Sequence, residues 1–246
     1  MLKKLLIVAP ILALSSSKVH AQIVLGKNEI GVNVGAFIYQ GDLSPKAIGS
    51  VKTAKPMLGL YYNRILDPFW SIRGNLAIGK LYGNDSLFSA PAYKQYRNFN
   101  FKTNVVELSA LATFNIFGNN LEHSYVKLSP YVFGGIGLAF VNVKRDYSRT
   151  DLSYFHTDTK LVDGLAVDAV QPMPKVLPII PLGIGLKYAV LPRLSLVLEG
   201  MYRYSFSDYV DGFKYAANPK LKDSYYSVSL GVSFNFGKDK MGCPSY

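Results

Sequence analysis

Five charged side chains interrupt segments that are otherwise apolar or small, and their types would allow them to form ion pairs. They are Arg73, Glu107, Lys187, Glu199 and Arg203. A charge without a partner is very costly to bury, so charges inside a closed structure must pair with one another. We therefore predict a structural salt-bridge network in which Glu107 and Arg203 are partners. The alternative is that the same residues line a path for ions or protons.

Catalytic chemistry has few candidates in this sequence. Two histidines, His123 and His156, lie beyond the N-terminal segment, and His156 has Ser153 and Asp158 nearby in the chain. A Ser-His-acid set needs all three side chains within hydrogen-bonding distance, and a loop tip holds them poorly. The carboxylates of residues 208–212 match ordinary turns better than a complete calcium loop. We predict a protein that is not an enzyme and that holds no metal or cofactor.

The elements that would position these residues are eight runs with a two-residue period. A strand directs alternate side chains to opposite faces, so each run has one apolar face and one small or polar face. The clearest run has six apolar residues at alternate positions, which are Tyr226, Val228, Leu230, Val232, Phe234 and Phe236. The predicted strands span residues 29–39, 57–64, 70–81, 101–117, 130–143, 179–190, 194–207 and 225–236.

Composition and loop spacing indicate that these strands cross a membrane. Hydrophobic residues make up 49% of the chain, yet no segment after the N-terminal one is apolar over the length of a spanning helix. Only helices and closed barrels satisfy their backbone hydrogen bonds in lipid. Long connections, at residues 40–55, 83–98, 144–176 and 208–223, alternate with short ones.

This alternation is typical of outer-membrane barrels, which have short periplasmic turns and long extracellular loops. We predict an all-β fold, an eight-stranded antiparallel transmembrane β-barrel with four long, polar outer loops and short periplasmic turns. A secreted β-sandwich is the alternative.

The chain divides into three predicted parts. Residues 1–21, with Lys3 and Lys4 before a short apolar run, have the pattern of a cleaved signal peptide. Residues 22–237 form the barrel, and residues 238–246 form a periplasmic tail. The predicted location is therefore the cell outer membrane. In such a protein the formal net charge of +11 indicates contact with anionic lipid or lipopolysaccharide, and not with nucleic acid.

Aromatic and basic residues near the strand ends predict how the barrel contacts lipid. Aromatic side chains anchor a barrel at the level of the lipid headgroups. We expect Tyr61 and Trp70 in a periplasmic girdle. We expect Phe101 and Phe140 in an outer girdle. Five basic loop residues are expected to contact either lipopolysaccharide phosphates or only solvent. They are Lys94, Arg97, Lys144, Arg145 and Arg149.

Several segments resemble known outer-membrane proteins. The last predicted strand is similar to the signal that the outer-membrane assembly machinery recognises, with Gly231, Phe234 and Phe236 in that segment. Other segments resemble a family of small outer-membrane barrels that includes the PorG component of the type IX secretion system. These segments are YQGDL (39–43), LYGND (81–85), NVVELS (104–109), SPYVFGGIG (129–137), PLGIGLKY (181–188) and YRYSFSDYVD (202–211). A short tail that contains a cysteine, here Cys243, also resembles the family.

The resemblance implies an eight-stranded barrel and, for a PorG-like member, contact with a periplasmic ring that contains a lipoprotein. We expect such a partner to dock on the tail with Cys243 and on the turn 118–129, which contains His123. Three functions follow as hypotheses. The first is a non-enzymatic scaffold or accessory component of a secretion apparatus. The second is a stabilising or lipopolysaccharide-contacting surface barrel without a dedicated partner. The third and most remote is a lipid A-modifying enzyme.

Overall fold

The structure, a computed structural model, describes residues 28–44, 49–118, 120, 127–156, 159–191, 193–207, 209–217 and 223–237. Within those residues the chain forms eight strands, close to the predicted positions. They are β1 (Asn28–Gln40), β2 (Lys55–Ile65), β3 (Trp70–Asn84), β4 (Asn100–Asn115), β5 (Leu128–Asp146), β6 (Val176–Leu191), β7 (Leu194–Ser205) and β8 (Ser224–Phe236). The predicted all-β, eight-stranded antiparallel fold is confirmed.

The strands close into one barrel because β1 pairs with both β2 and β8. The closing pair of strands extends from Asn28 opposite Phe236 to Gln40 opposite Ser224. When the register partners of Asn28 are followed once around the barrel, they return to β1 at Ile38. A register displaced in this way requires strands that are tilted against the barrel axis.

The two faces of the barrel have opposite chemistry. Outward side chains are apolar and exposed, for example Ile136 at 71%, Leu230 at 63% and Val34 at 60%. Inward side chains are small, polar or charged, and those of Arg73 and Arg203 are fully buried. An apolar surface of this extent is typical of a protein that faces lipid. The chain is therefore a transmembrane barrel of the outer-membrane type.

Three short connections, β2–β3, β4–β5 and β6–β7, lie at one end of the barrel. In the first, Asp67 Oδ1 accepts the N–H groups of Phe69 and Trp70, each at 2.8 Å, and so closes a tight turn. Outer-membrane barrels have short turns on the periplasmic side. We call this end the periplasmic end and the opposite end the outer end.

The aromatic girdles are only partly as predicted. Trp70 packs on Phe114 at the periplasmic end, with 4.9 Å between ring centroids, and Phe140 is exposed towards the outer end. Tyr61 and Phe101, however, are buried inside the barrel, so their assignment to the girdles is wrong. Because neighbouring residues of a strand point to opposite faces, Tyr61 cannot face lipid where Tyr62 already does.

The outer connections contain more structure than the sequence indicated. Within the described residues they include helices α1 (Tyr93–Arg97) and α2 (Thr159–Val170), and single 3-10 turns at Val51–Thr53 and Asp85–Leu87. None of the helices in the described part of the chain is long and apolar enough to cross a membrane. The expectation of simply polar loops is wrong, because these segments bury a set of apolar side chains. These include Phe88, Phe99, Phe155, Leu161, Leu165, Val210 and Phe213.

Those loop residues fill the outer half of the barrel together with inward side chains of the strands. The resulting cluster contains Phe37, Tyr39, Phe101 and Leu177 from the strands, and the Phe99 ring stacks on that of Phe213 at 4.3 Å. A smaller cluster around Leu111 and Phe133 lies between this core and the periplasmic end. We call the outer connections and the core beneath them the outer cap.

Candidate functional site

The first group of charged residues in the lumen is centred on Glu199 of β7. Arg73 from β3 pairs with this carboxylate, with Nη1 2.5 Å from Oε1. The Tyr131 hydroxyl also donates to Oε1 at 2.6 Å, and Asn33 Nδ2 donates to Oε2 at 2.8 Å. The Arg73 guanidinium lies over the Tyr61 ring, 4.1 Å from its centroid. Five strands thus contribute side chains to one buried ion pair and its surroundings.

A second pair lies nearer the periplasmic end. Lys187 Nζ is 2.6 Å from Glu29 Oε2, and the Tyr61 hydroxyl donates to Glu29 Oε1 at 3.1 Å. The sequence analysis included Lys187 but not Glu29. The alternation of β1 could have identified this partner, because Glu29 shares the inward face with Gly31 and Asn33.

The third pair joins Glu107 of β4 to Arg203 of β7, and these two residues were predicted to be partners. Arg203 Nε lies 3.1 Å from Glu107 Oε2. Arg203 Nη1 donates to Ser227 Oγ at 2.6 Å, and the Tyr225 hydroxyl donates to Glu107 Oε1. Arg203 lies four residues beyond Glu199 on β7, about 13 Å along the strand, so this pair forms a separate layer closer to the outer end.

The structure therefore brings all five predicted charged residues into the lumen, in two layers with an apolar core above them. Buried charges arranged as pairs with additional hydrogen bonds are suited to hold strands together. In the part of the chain that the structure describes, side chains fill the lumen from the Glu29 pair to the outer cap. In the described residues, these buried pairs favour a structural role over the alternative of an ion or proton path.

The outer cap contains buried ion pairs that sequence reasoning missed. Arg97 of α1 donates two hydrogen bonds to the Asp85 carboxylate, at 2.6 and 2.9 Å. Lys94 Nζ donates to the carbonyl oxygens of Asp42 and Ser44, at 3.1 and 2.8 Å. Burial lowers the pKa of the Lys94 amine below its usual value, and the nearby Asp85 carboxylate opposes this effect. These contacts join the first outer loop to the second.

A second set of buried contacts joins the third outer loop to the fourth. Asp168 of α2 accepts the backbone N–H groups of Lys214, Tyr215 and Ala216, at 3.1, 3.0 and 2.9 Å. Arg145 donates to the Gly212 carbonyl oxygen at 2.6 Å and to that of Asp168. No local pattern could have revealed these contacts, because each joins segments that are far apart in the chain.

These positions correct the expectation for the basic loop residues. Lys94 and Arg97 are only 3% and 5% exposed, and the Arg145 guanidinium binds carbonyl oxygens. All three are therefore unavailable to lipid phosphates. Lys144 and Arg149 are exposed.

Of the residues considered for catalysis, Ser153 and His156 are described and do not form a nucleophile–base pair, whereas His123 and Asp158 lie outside the described residues. The Ser153 hydroxyl donates to Asp151 Oδ1 at 2.5 Å, and His156 Nδ1 lies 2.7 Å from the Ser153 carbonyl oxygen. Both residues are exposed in the third outer loop, which also argues against activation of the serine. Among the described residues, no three His, Cys, Asp or Glu side chains are placed to hold a metal ion.

The remaining predicted residues lie at the periplasmic end or outside the described residues. In β8, Phe234 and Phe236 point outwards to the lipid face, and Gly231 faces Asn33 so closely that a Cβ would lie 2.1 Å from Asn33 Oδ1. Their proposed recognition by the assembly machinery remains a prediction. The two predicted docking residues, His123 and Cys243, lie outside the described residues, as do the predicted signal peptide 1–21 and the tail 238–246.

Comparison with known proteins identifies a family and a set of similar folds. A family described as a domain of unknown function, DUF6089, matches residues 3–237. No curated protein matches the chain. One similar solved structure is Ail, the attachment invasion locus protein of Yersinia pestis, with 12% identity over 86% of this chain and 99% of that chain and a TM-score of 0.45.

Two further similar structures are a surface protein and an enzyme. Neisserial surface protein A has 15% identity over 85% of this chain and 97% of that chain, with a TM-score of 0.47. The outer membrane enzyme PagL has 14% identity over 84% of this chain and 98% of that chain, with a TM-score of 0.38. At these identities the similarity concerns the fold and carries no function across.

Proposed function

The chain belongs to the DUF6089 family, a domain of unknown function, and from its geometry we propose that it is a non-conducting, non-enzymatic scaffold of the outer membrane. The observation that carries this proposal is the filled lumen. Paired charges cross its middle and the outer cap closes it above. A barrel of this kind offers surfaces to other molecules and no passage through itself.

The finer role that we propose is an accessory component of a type IX secretion apparatus. The support for it is the resemblance of six segments to the family that includes PorG. On this proposal residues 1–21 are removed as a signal peptide, and a periplasmic ring that contains a lipoprotein docks on the tail 238–246 and on the turn with His123. Exposed apolar side chains at the described periplasmic turns, such as Phe69 and Phe117, would extend that surface.

Deletion of residues 238–246 tests this role. β8 already ends at Phe236, so we expect unchanged barrel assembly, measured as heat-modifiable migration on a gel. We expect loss of co-purification with periplasmic proteins after cross-linking, together with loss of cargo secretion. Cys243→Ser in the full-length chain separates the thiol from the rest of the tail. Normal secretion and an unchanged set of cross-linked partners in the deletion strain would refute the docking role.

The second candidate is a surface barrel that contacts lipopolysaccharide without a dedicated partner. It is favoured by exposed lysines on the outward face of β3, β4 and β5 near the outer end. If this second function is correct, loss of the protein should weaken the barrier of the outer membrane to hydrophobic antibiotics and leave secretion intact. An unchanged barrier in the deletion strain contradicts it.

A further inference from the structure

Three lysines lie together on the lipid side of the barrel, at the outer ends of neighbouring strands. Lys80 of β3, Lys102 of β4 and Lys144 of β5 are all exposed on the outward face. Lys102 and Lys144 are direct register partners, so their Cβ atoms are about 4.5–5.5 Å apart. Lys80 pairs with Asn104 and is therefore diagonal to Lys102, at about 7–8 Å. We call Lys80, Lys102 and Lys144 the lysine row.

The lysine row is electrostatically unfavourable when it stands alone. Like charges directly opposite each other in a sheet destabilise it. No carboxylate among the described residues forms an ion pair with these three lysines. Asp146, the next outward residue of β5, accepts hydrogen bonds from Asn100 and from the Ser148 N–H. A fourth cation lies close by, because Lys55 Nζ is over the Tyr82 ring, 4.4 Å from its centroid.

The height of the lysine row corresponds to the boundary between hydrocarbon and headgroups. Ile78, Val106 and Phe140 are register partners and, apart from Tyr82 on β3, are the last apolar residues on the outward faces of their strands. The next outward residues are Lys80 of β3, Asn104 of β4 and Asn142 of β5. Lys102 and Lys144 follow on β4 and β5. Lysines at this height can keep their stems along apolar surface while their ammonium groups reach the headgroups.

The lysine row is confined to one side of the barrel. On the opposite side, the outward residues at the described outer ends of β7, β8 and β1 include no lysine or arginine. They are Tyr202, Tyr204, Tyr226, Ala36 and Gln40, together with Ser224 and Ile38, which are buried. On the strands themselves, positive charge is therefore concentrated on the side of β3–β5, which would suit an anionic ligand on that side.

Below the lysine row, an apolar groove crosses the same strands. Its floor is formed by Gly74 and Ala110, which are register partners, and Leu60, Leu108 and Ile136 are among its walls. A Cβ built on Gly74 would have no atom within 4 Å, so the surface is open there. Gly74 lies six residues below Lys80, about 20 Å along the strand, a distance comparable to the length of an acyl chain.

We propose that β3, β4 and β5 form a binding site for a bisphosphorylated glycolipid of the outer leaflet, the lipid A part of lipopolysaccharide. The lysine row and Lys55 contact its phosphates, and one acyl chain lies in the groove over Gly74. A single phosphate group carries a charge of about −1.5 to −2 and would not neutralise four cations, so a ligand with two phosphates matches the site better. This inference names the site for the second candidate function and does not depend on the scaffold role.

The test measures lipid A binding to the purified full-length barrel in detergent at physiological salt. A triple variant, K80Q/K102Q/K144Q, removes the lysine row. Each lysine near an anionic surface contributes roughly a fivefold factor, so we expect the affinity for lipid A to fall by about 100-fold. A matched control, K127Q/K160Q/R193Q, removes the same charge from exposed sites outside the lysine row and should bind as the unaltered protein does.

Two additional measurements identify the ligand and the groove. Gly74→Phe fills the groove, so it should weaken binding of lipid A but not of its deacylated bisphosphorylated headgroup. Phosphatidylglycerol, with one phosphate, should bind more weakly than lipid A. Without lipid, the triple variant should melt at a higher temperature than the unaltered barrel, because the repulsion between the three lysine ammonium groups is removed.

Three results would overturn the proposal: equal loss of lipid A binding in the control variant, unchanged binding in the triple variant, or equal affinity for phosphatidylglycerol. The measurement uses the purified barrel alone, so its outcome is independent of whether tail deletion affects secretion.

Discussion

The outer and periplasmic halves of the lumen are closed by different kinds of interaction. The outer half is filled by packed apolar rings such as Phe37, Phe99 and Phe213, beneath loops that buried ion pairs hold in place. The periplasmic half is crossed by the Arg73–Glu199 and Lys187–Glu29 pairs. Closure of the outer half therefore depends on the loops, whereas closure of the periplasmic half depends on the strands alone.

The two halves also differ in how their polar atoms are satisfied. Buried polar atoms without a hydrogen-bond partner among the described residues concentrate near the periplasmic end. They include Asn63 Oδ1, Ser71 Oγ, Thr113 Oγ1, Ser233 Oγ and Asn235 Oδ1, whereas Arg203 Nη2, in the layer beneath the outer core, is an exception. Polar atoms in such positions normally bind water. We infer that the periplasmic half is hydrated and that the outer half is dry, and the following predictions test this difference.

The largest effect is expected from Glu107→Ala. Arg203 lies beneath the dry outer core, and loss of its partner leaves a buried cation unpaired. The free energy of unfolding should fall by about 3–5 kcal/mol, measured by urea titration with heat-modifiable gel migration as the readout. The double variant E107A/R203M removes both charges and should recover most of the loss. A double variant as unstable as the single one would show that the cost does not come from the unpaired charge.

Phe213→Ala should have the next largest effect. The Phe213 ring is buried against Phe99, so its removal leaves a cavity in the outer core and lowers the free energy of unfolding by about 3 kcal/mol. Tyr96→Ala is the control, because the Tyr96 ring also stacks on an aromatic ring, that of Tyr154, but is exposed. Equal losses for the two variants in the same urea titration would contradict a packed outer core.

Glu199→Ala should cost less than Glu107→Ala. It also leaves an arginine, Arg73, without its carboxylate, but water from the periplasmic side can hydrate that guanidinium. We expect a loss of about 1–3 kcal/mol in the same titration. A loss as large as that of Glu107→Ala would show that both halves are equally dry.

The smallest effect is expected from Gly164→Ala in α2. A Cβ at this position would lie 2.3 Å from the Tyr215 carbonyl oxygen, so the helix must move away from the fourth outer loop. We expect a cost of about 1 kcal/mol, with faster proteolysis of the outer loops and unchanged heat-modifiable migration of the barrel. Protease resistance equal to that of the unaltered protein would mean that α2 does not secure the outer cap.

The features that could be predicted from the sequence are those set by strand alternation. The period of two assigns each strand residue to a face, and so places Arg73, Glu107 and Arg203 in the lumen. The same rule excludes Tyr61 from the lipid girdle, although its aromatic type suggested otherwise. Glu29 could also have been found, since it lies on the inward face of β1.

The outer cap could not be predicted in the same way. The contacts of Asp168 with residues 214–216 join a helix to a loop more than forty residues away, and no periodic pattern encodes them. From the sequence, we expect Arg97 and Lys94 to be exposed basic loop residues. Composition does not show that Arg97 contacts Asp85 or that Lys94 contacts backbone carbonyl oxygens. Their burial depends on how separate loops pack, and that packing is a property of the assembled barrel.

Planar-bilayer recording tests the closed lumen most directly. The unaltered protein, inserted into a bilayer, should show no discrete conductance steps, because paired charges and the outer core fill the lumen between its two ends. Glu199→Ala should also be silent, because the outer core remains in place. Reproducible single-channel currents from the unaltered, correctly folded barrel would contradict the account of a closed, non-conducting scaffold.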